Sequence, residues 1–191
     1  MVHGDDFLSI GDHEDLIWLQ KVLEEKFEIS TNMVGHGVQD EKQLKVLNRI
    51  ISAEEYGFTY EPDARHAEIL IRDLGLTGAK AVATPGDDFC DLSEDLLEHE
   101  KFKKYQSLCA RANFLATDRM DVQFASKECC RAMSRPRVRD WAKIKRMGRY
   151  LVGKPRLVYR YPFQDEVQAI TVYSDASWPT TRRTEGVQAV A

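Results

Sequence analysis

The sequence predicts a mixed α+β fold, and three observations carry that prediction. β-branched and aromatic runs fill residues 44–60 and 157–173, while apolar residues recur at helical spacing over residues 14–27, 63–74 and 102–151. Charge is also divided into blocks, acidic up to residue 100 and basic from 101 to 160. At 191 residues and 43% hydrophobic content, the chain can bury one ordinary core or two small ones. Nothing in the composition suggests a collagen, a disordered tail or a membrane protein. No apolar run reaches bilayer length, and Met1-Val2-His3-Gly4-Asp5 lacks the basic and apolar start of a signal peptide, so an intracellular globular chain with no membrane partner is expected.

Phe7-Leu8-Ser9-Ile10 reads as a short strand bracketed by Gly4 and Gly11. Asp12 then caps an amphipathic helix over residues 14–27, with Leu16, Leu19, Leu23 and Phe27 on its apolar side. Residues 44–51 and the run Tyr56-Gly57-Phe58-Thr59-Tyr60, separated by a charged turn, read as a hairpin. Past Pro62, a helix over residues 63–74 stacks Ala67, Leu70, Ile71 and Leu74 on one face and stops at Gly75. Residues 77–100 have no apolar period and include Thr84-Pro85-Gly86-Asp87-Asp88, which reads as an acidic linker. Three helices fit residues 102–116, 120–133 and 140–151, with breaks at Asp118-Arg119 and Arg135-Pro136. Two strands fit residues 157–161 and 169–173. The predicted organisation is therefore 1–76, a linker 77–100, a basic helical part 101–153, and a final part 154–191.

Residues 1–100 hold 8 Lys and Arg against 23 Asp and Glu, net −15, and residues 101–160 hold 17 against 4, net +13. A block so basic inside an acidic chain suits phosphate contacts, with affinity that falls as salt rises. It also suits pairing with the acidic half, and charge alone leaves both readings open. The four cysteines, Cys90, Cys109, Cys129 and Cys130, form no CxxC pair and have no His at ligand spacing, so reduced and mostly buried thiols are expected. Trp141, Tyr150 and Trp18 are expected in the core, and His66 on a helix face in a surface or capping role.

Asp5 and Asp6 follow a glycine and precede a strand, so a tight turn can present both carboxylates at a hairpin tip. Hard divalent cations take oxygen ligands of this kind. In phosphoryl transfer two such ions hold the attacking and leaving oxygens, which requires carboxylates from at least two backbone segments. One Asp-Asp pair supplies half of that.

The run Val2-His3-Gly4-Asp5-Asp6-Phe7 is similar to the palm hairpin of long-terminal-repeat reverse transcriptases. Downstream blocks resemble the copia-type retrotransposon branch in order and spacing: Val46-Leu47-Asn48-Arg49-Ile50, Arg65-His66-Ala67-Glu68, Thr84-Pro85-Gly86, and Tyr105 with the run 111–116. The likeness continues through 118–125, Met133-Ser134-Arg135-Pro136 and Leu151 with Gly153-Lys154-Pro155. It closes on Tyr173-Ser174-Asp175-Ala176-Ser177-Trp178, similar to the first catalytic strand of the family's RNase H. The resemblance spans nearly the whole chain.

It implies a palm remnant of sheet plus helices, a helical thumb or connection, and the first strands of an RNase H-like sheet. It implies that Asp5, Asp6 and Asp175 are catalytic metal ligands for Mg2+ (or Mn2+), and that the parent activity is RNA-directed DNA synthesis with RNase H. The implied partners are an RNA/DNA primer-template duplex and the remainder of the polymerase. Arg111, Arg131, Arg135, Lys143, Lys145, Arg146 and Lys154 are the expected phosphate contacts. The family's first palm motif and later RNase H ligands have no counterpart here, since Trp178 is followed by Pro179-Thr180-Thr181 and Glu185 is no convincing ligand. The sequence therefore leads to a polymerase segment inactive alone but able to bind nucleic acid; the alternative is a non-catalytic protein-interaction module or relic.

Overall fold

The computed structural model describes residues 2–87, 95–164 and 169–172. Among these residues the chain is α+β, with a four-stranded antiparallel sheet, a separate two-stranded hairpin and five α-helices. Strand β1 (Val2–His3) pairs with β2 (Asp6–Phe7), placing Val2 opposite Phe7 and His3 opposite Asp6. Gly4 and Asp5 form the connecting loop, and Gly4 takes the positive φ of 59° that suits the first central position of a two-residue turn. Strand β2 ends at Phe7, so the strand expected at 7–10 begins one residue earlier and is shorter. Helix α1 (His13–Glu24) follows where expected, though the Asp12 side chain makes no capping hydrogen bond.

The sheet is built from β3 (Gln43–Val46), β4 (Arg49–Glu54), β5 (Gly57–Glu61) and β6 (Tyr159–Pro162), in that spatial order. The single strand expected over 44–51 is in fact two, because Leu47 and Asn48 turn the chain with φ of 48° and 64°. Two consecutive left-handed residues are what a primed hairpin turn needs, and Leu-Asn lacks the Asn-Gly signature that announces one. Strand β6 pairs with β5, Tyr159 opposite Tyr60 and Tyr161 opposite Phe58, extending the first sheet instead of opening another. Gly57 is required at that junction: a Cβ there would strike the Tyr161 carbonyl and lie 2.7 Å from Pro162 Cα. Residues 169–172 carry no strand, correcting that expectation, and Tyr173 lies outside the described residues.

The core belongs to helices α2 (Arg65–Asp73), α3 (His99–Ala116), α4 (Gln123–Cys130) and α5 (Val138–Gly153). Tyr105, Leu108, Cys109 and Ala112 of α3 meet Ile144, Met147 and Leu151 of α5 and Leu70 of α2, all buried, as the helical spacing of these residues dictates. The helix expected over 120–133 is interrupted, since a 3-10 turn at Met120–Val122 precedes α4. Segment 77–87 is laid onto this body: Ala79 and Val82 touch the core beside buried Leu76. Leu97 is also buried, its N–H donating to the Pro136 carbonyl at 2.9 Å, while Val138 N–H donates to Asp95 O at 3.0 Å. Residues on both sides of the acidic stretch 77–100 thus share one core. The α5 N-terminus is satisfied locally, where Arg137 N–H donates to the Asp140 carboxylate at 3.0 Å. Among the described residues no helix is long and apolar enough to cross a membrane.

Candidate nucleic-acid interface

The β1–β2 hairpin sets Asp5 in its loop and Asp6 at the first position of β2, both exposed. Their oxygens are of the type that Mg2+ accepts, but they come from one backbone segment. Among the described residues no group of three or more His, Cys, Asp and Glu side chains converges to hold a metal. The pair therefore does not make up a two-metal centre, and no metal-dependent step can be built on it alone. Asp175 lies outside the described residues.

Six of the seven expected phosphate contacts fall into two groups, and Arg111 stands apart. On α4, Ala125, Ser126 and Cys129 face inward, which turns Phe124, Lys127 and Arg131 to the opposite, solvent side. Lys127 Nζ sits 5.9 Å from the centre of the Phe124 ring, and Arg131 pairs with Glu128 at 3.1 Å. Arg135 follows, exposed, beyond the helix end. Lys127 was missed by sequence reasoning, although its spacing of four from Arg131 was the available signal.

On α5 most of the cations are engaged within the chain. Lys143 pairs with buried Asp140 at 3.3 Å. Arg146 Nη1 lies 2.8 Å from the Asp87 carboxylate, Nη2 donates to Thr84 Oγ1 at 2.9 Å and Nε to Gly86 O at 3.1 Å. Lys145 is exposed, and Lys154 Nζ stands 5.4 Å above the Tyr150 ring. Arg111 on α3 is apart from both groups, with Nη1 3.5 Å from His66 Nδ1.

His66 borders a pocket of about 80 Å³ between sheet and helices, lined among others by Asn48, Arg49, Arg65, Phe114 and Asp118. Arg49 Nε and Nη2 reach Asp118 at 2.9 and 2.6 Å, and Tyr60 donates its hydroxyl proton to the same carboxylate at 3.0 Å. Burial, then the Asp118 bond, pushes the Tyr60 hydroxyl up to about 12. Burial first, with the nearby Arg111 and Arg65 charges, holds the His66 imidazole below its ordinary value, and its ring leans on Phe114 at 4.6 Å. No sequence signal pairs residues 49 and 118, so this junction could not be foreseen.

Burial raises all three described thiols, Cys109 to about 12, so none is a thiolate near neutral pH. Tyr150 and Trp141 lie in or against the core as expected, whereas Trp18 is 64% exposed, because α1 buries none of its residues. Comparison of the chain with protein-family models, curated proteins and solved structures gave no match.

Proposed function

We propose that the chain is a segment of a copia-type retrotransposon reverse transcriptase that grips RNA/DNA hybrid duplex without polymerising by itself. The observation that carries the binding reading is the outward face of α4, where Phe124, Lys127 and Arg131, followed by Arg135, gather cations and one aromatic ring against a single acid, Glu128. A duplex meets such a face through its phosphates, so affinity is sequence-tolerant and salt-dependent. In this reading the β1–β2 hairpin is the palm turn, helices α3–α5 are the thumb or connection, and Asp5 and Asp6 are one half of a metal site whose other ligands come from elsewhere in a polymerase.

The test is hybrid binding at two or more salt concentrations. Lys127→Gln, Arg131→Gln and Arg135→Gln together are expected to weaken binding and to flatten the slope of log K against log salt by about 1 per phosphate contact removed. Asp5→Asn with Asp6→Asn is expected to leave affinity intact. Absence of binding by the unmodified chain at low salt would sink this reading.

A second reading, a protein-interaction module, is favoured by α1. Ile10 and Trp18, 93% and 64% exposed, line a groove with Leu8, Leu16 and Leu19 as well as Ser9 and Asp15, and exposed large apolar side chains of this kind are what a protein partner covers. The remainder of a polymerase is one such partner.

A further inference from the structure

We propose that Arg146 is a phosphate-binding position held closed by the chain's own segment 80–87. The inference rests on the duplex-binding reading above and adds its regulation. All three nitrogens of the Arg146 guanidinium meet oxygens of one short segment: the Asp87 carboxylate at 2.8 Å, the Thr84 hydroxyl at 2.9 Å and the Gly86 carbonyl at 3.1 Å. The Thr84 hydroxyl donates its own proton to Gly86 O at 3.0 Å, which leaves its lone pairs for Arg146. Three oxygens, one of them on an anion, arranged around a planar fork of donors are the environment that a phosphate group gives an arginine.

One turn further along α5, Arg149 Nε donates to the Lys80 carbonyl at 2.8 Å and pins the other end of the segment. The strap therefore lies over two arginines of the most basic helix, while Lys145, just before Arg146, is exposed. Its main ionic link is weak: Asp87 is half exposed and Arg146 a quarter exposed, so water and salt screen the pair. A duplex offers a row of phosphates in exchange for one carboxylate, one hydroxyl and one carbonyl. Duplex binding lifts the strap, and the strap in turn keeps α5 from holding scattered anions.

The experiment compares four full-length proteins on RNA/DNA hybrid across a salt series: unmodified, Thr84→Val with Asp87→Asn, Arg146→Ala, and all three changes together. Circular dichroism melts establish that each is folded. Release of the strap is expected to tighten binding about two- to fivefold, the scale of one surface ion pair. It is also expected to steepen the salt slope by about 1. Both gains should vanish in the Arg146→Ala background. Amide exchange over residues 80–87 of the unmodified protein should speed up when hybrid is added.

Strap variants that bind no tighter, or that gain as much without Arg146, would overturn the proposal, because removal of a negative charge would then be the whole effect. Hybrid bound with unchanged exchange at 80–87 would overturn it too. If hybrid binding depends on Lys127, Arg131 and Arg135 while the strap variants do nothing, the strap proposal falls and the binding reading stands. If no protein binds hybrid at low salt, both fall.

Discussion

Arg119 is only 2% exposed, yet it carries a charge, and its surroundings explain how. Its Nε and Nη2 pair with Asp121 at 2.9 and 2.7 Å, and two further N–H groups donate to the carbonyls of Lys154 at 3.0 Å and Pro155 at 3.3 Å. Tyr150 donates to the same Asp121 at 2.9 Å. One guanidinium thus ties the 3-10 turn before α4 to the residues that follow α5 and meets most of the bonding demand that burial creates. Arg119→Met keeps the bulk but strands a carboxylate and two carbonyls, and is expected to cost about 3–5 kcal/mol in urea denaturation. Gly57 is the other residue whose change propagates. Gly57→Ala drives a methyl into the Tyr161 backbone, and amide exchange should then show β6 detached from β5 while the helical core stays protected.

At the scale of elements, helices were legible because burial follows the 3.6-residue period: Tyr105, Leu108, Cys109 and Ala112 face inward as their spacing requires. The same period tells which cations of α5 point outward, but not that segment 80–87 lies across them, since that contact joins residues about 60 positions apart. The Leu47–Asn48 turn escaped for a local reason, as neither residue is glycine and the apolar pattern runs straight through it. Its left-handed pair makes a sharp prediction: Asn48→Val, β-branched at φ of 64°, should lower stability by about 1–2 kcal/mol. Asn48→Gly should be neutral or stabilising, and both can be read from denaturant midpoints. The acid hairpin was legible as a turn carrying Asp5 and Asp6, whereas the remaining ligands of a metal site could not be placed from the residues alone.

For the whole molecule, charge pairs that cross between parts set the response to pH. Asp118 holds Arg49 and Tyr60 of the sheet from the end of α3, and Arg156 pairs with Glu61. The carboxyls of Glu61 and Asp63 are lowered by their arginines; that of Asp121 is raised by burial but pulled down further by Arg119. Groups lowered on folding stabilise above their ordinary range and lose that contribution as pH falls through it. His66, also lowered, adds a loss as pH drops below its ordinary 6.5. Tyr60 has the opposite sign: raised from 10.0 to about 12, it costs stability as pH climbs across that interval. The buried thiols, raised above their ordinary 9.0, begin that alkaline loss earlier, so melting temperature should be highest between about pH 6.5 and 9, falling on both sides, with Tyr60→Phe removing part of the loss above pH 10. The pairing of β5 with β6 has a consequence in time. The two strands lie about 100 residues apart, so on a ribosome adding about 5–20 residues per second the β5 edge stands bare for on the order of 5–20 s before its partner is made. During that interval the nascent sheet presents an open backbone to its neighbours on the polysome, and the cell must shield it or lose some of each batch to aggregation.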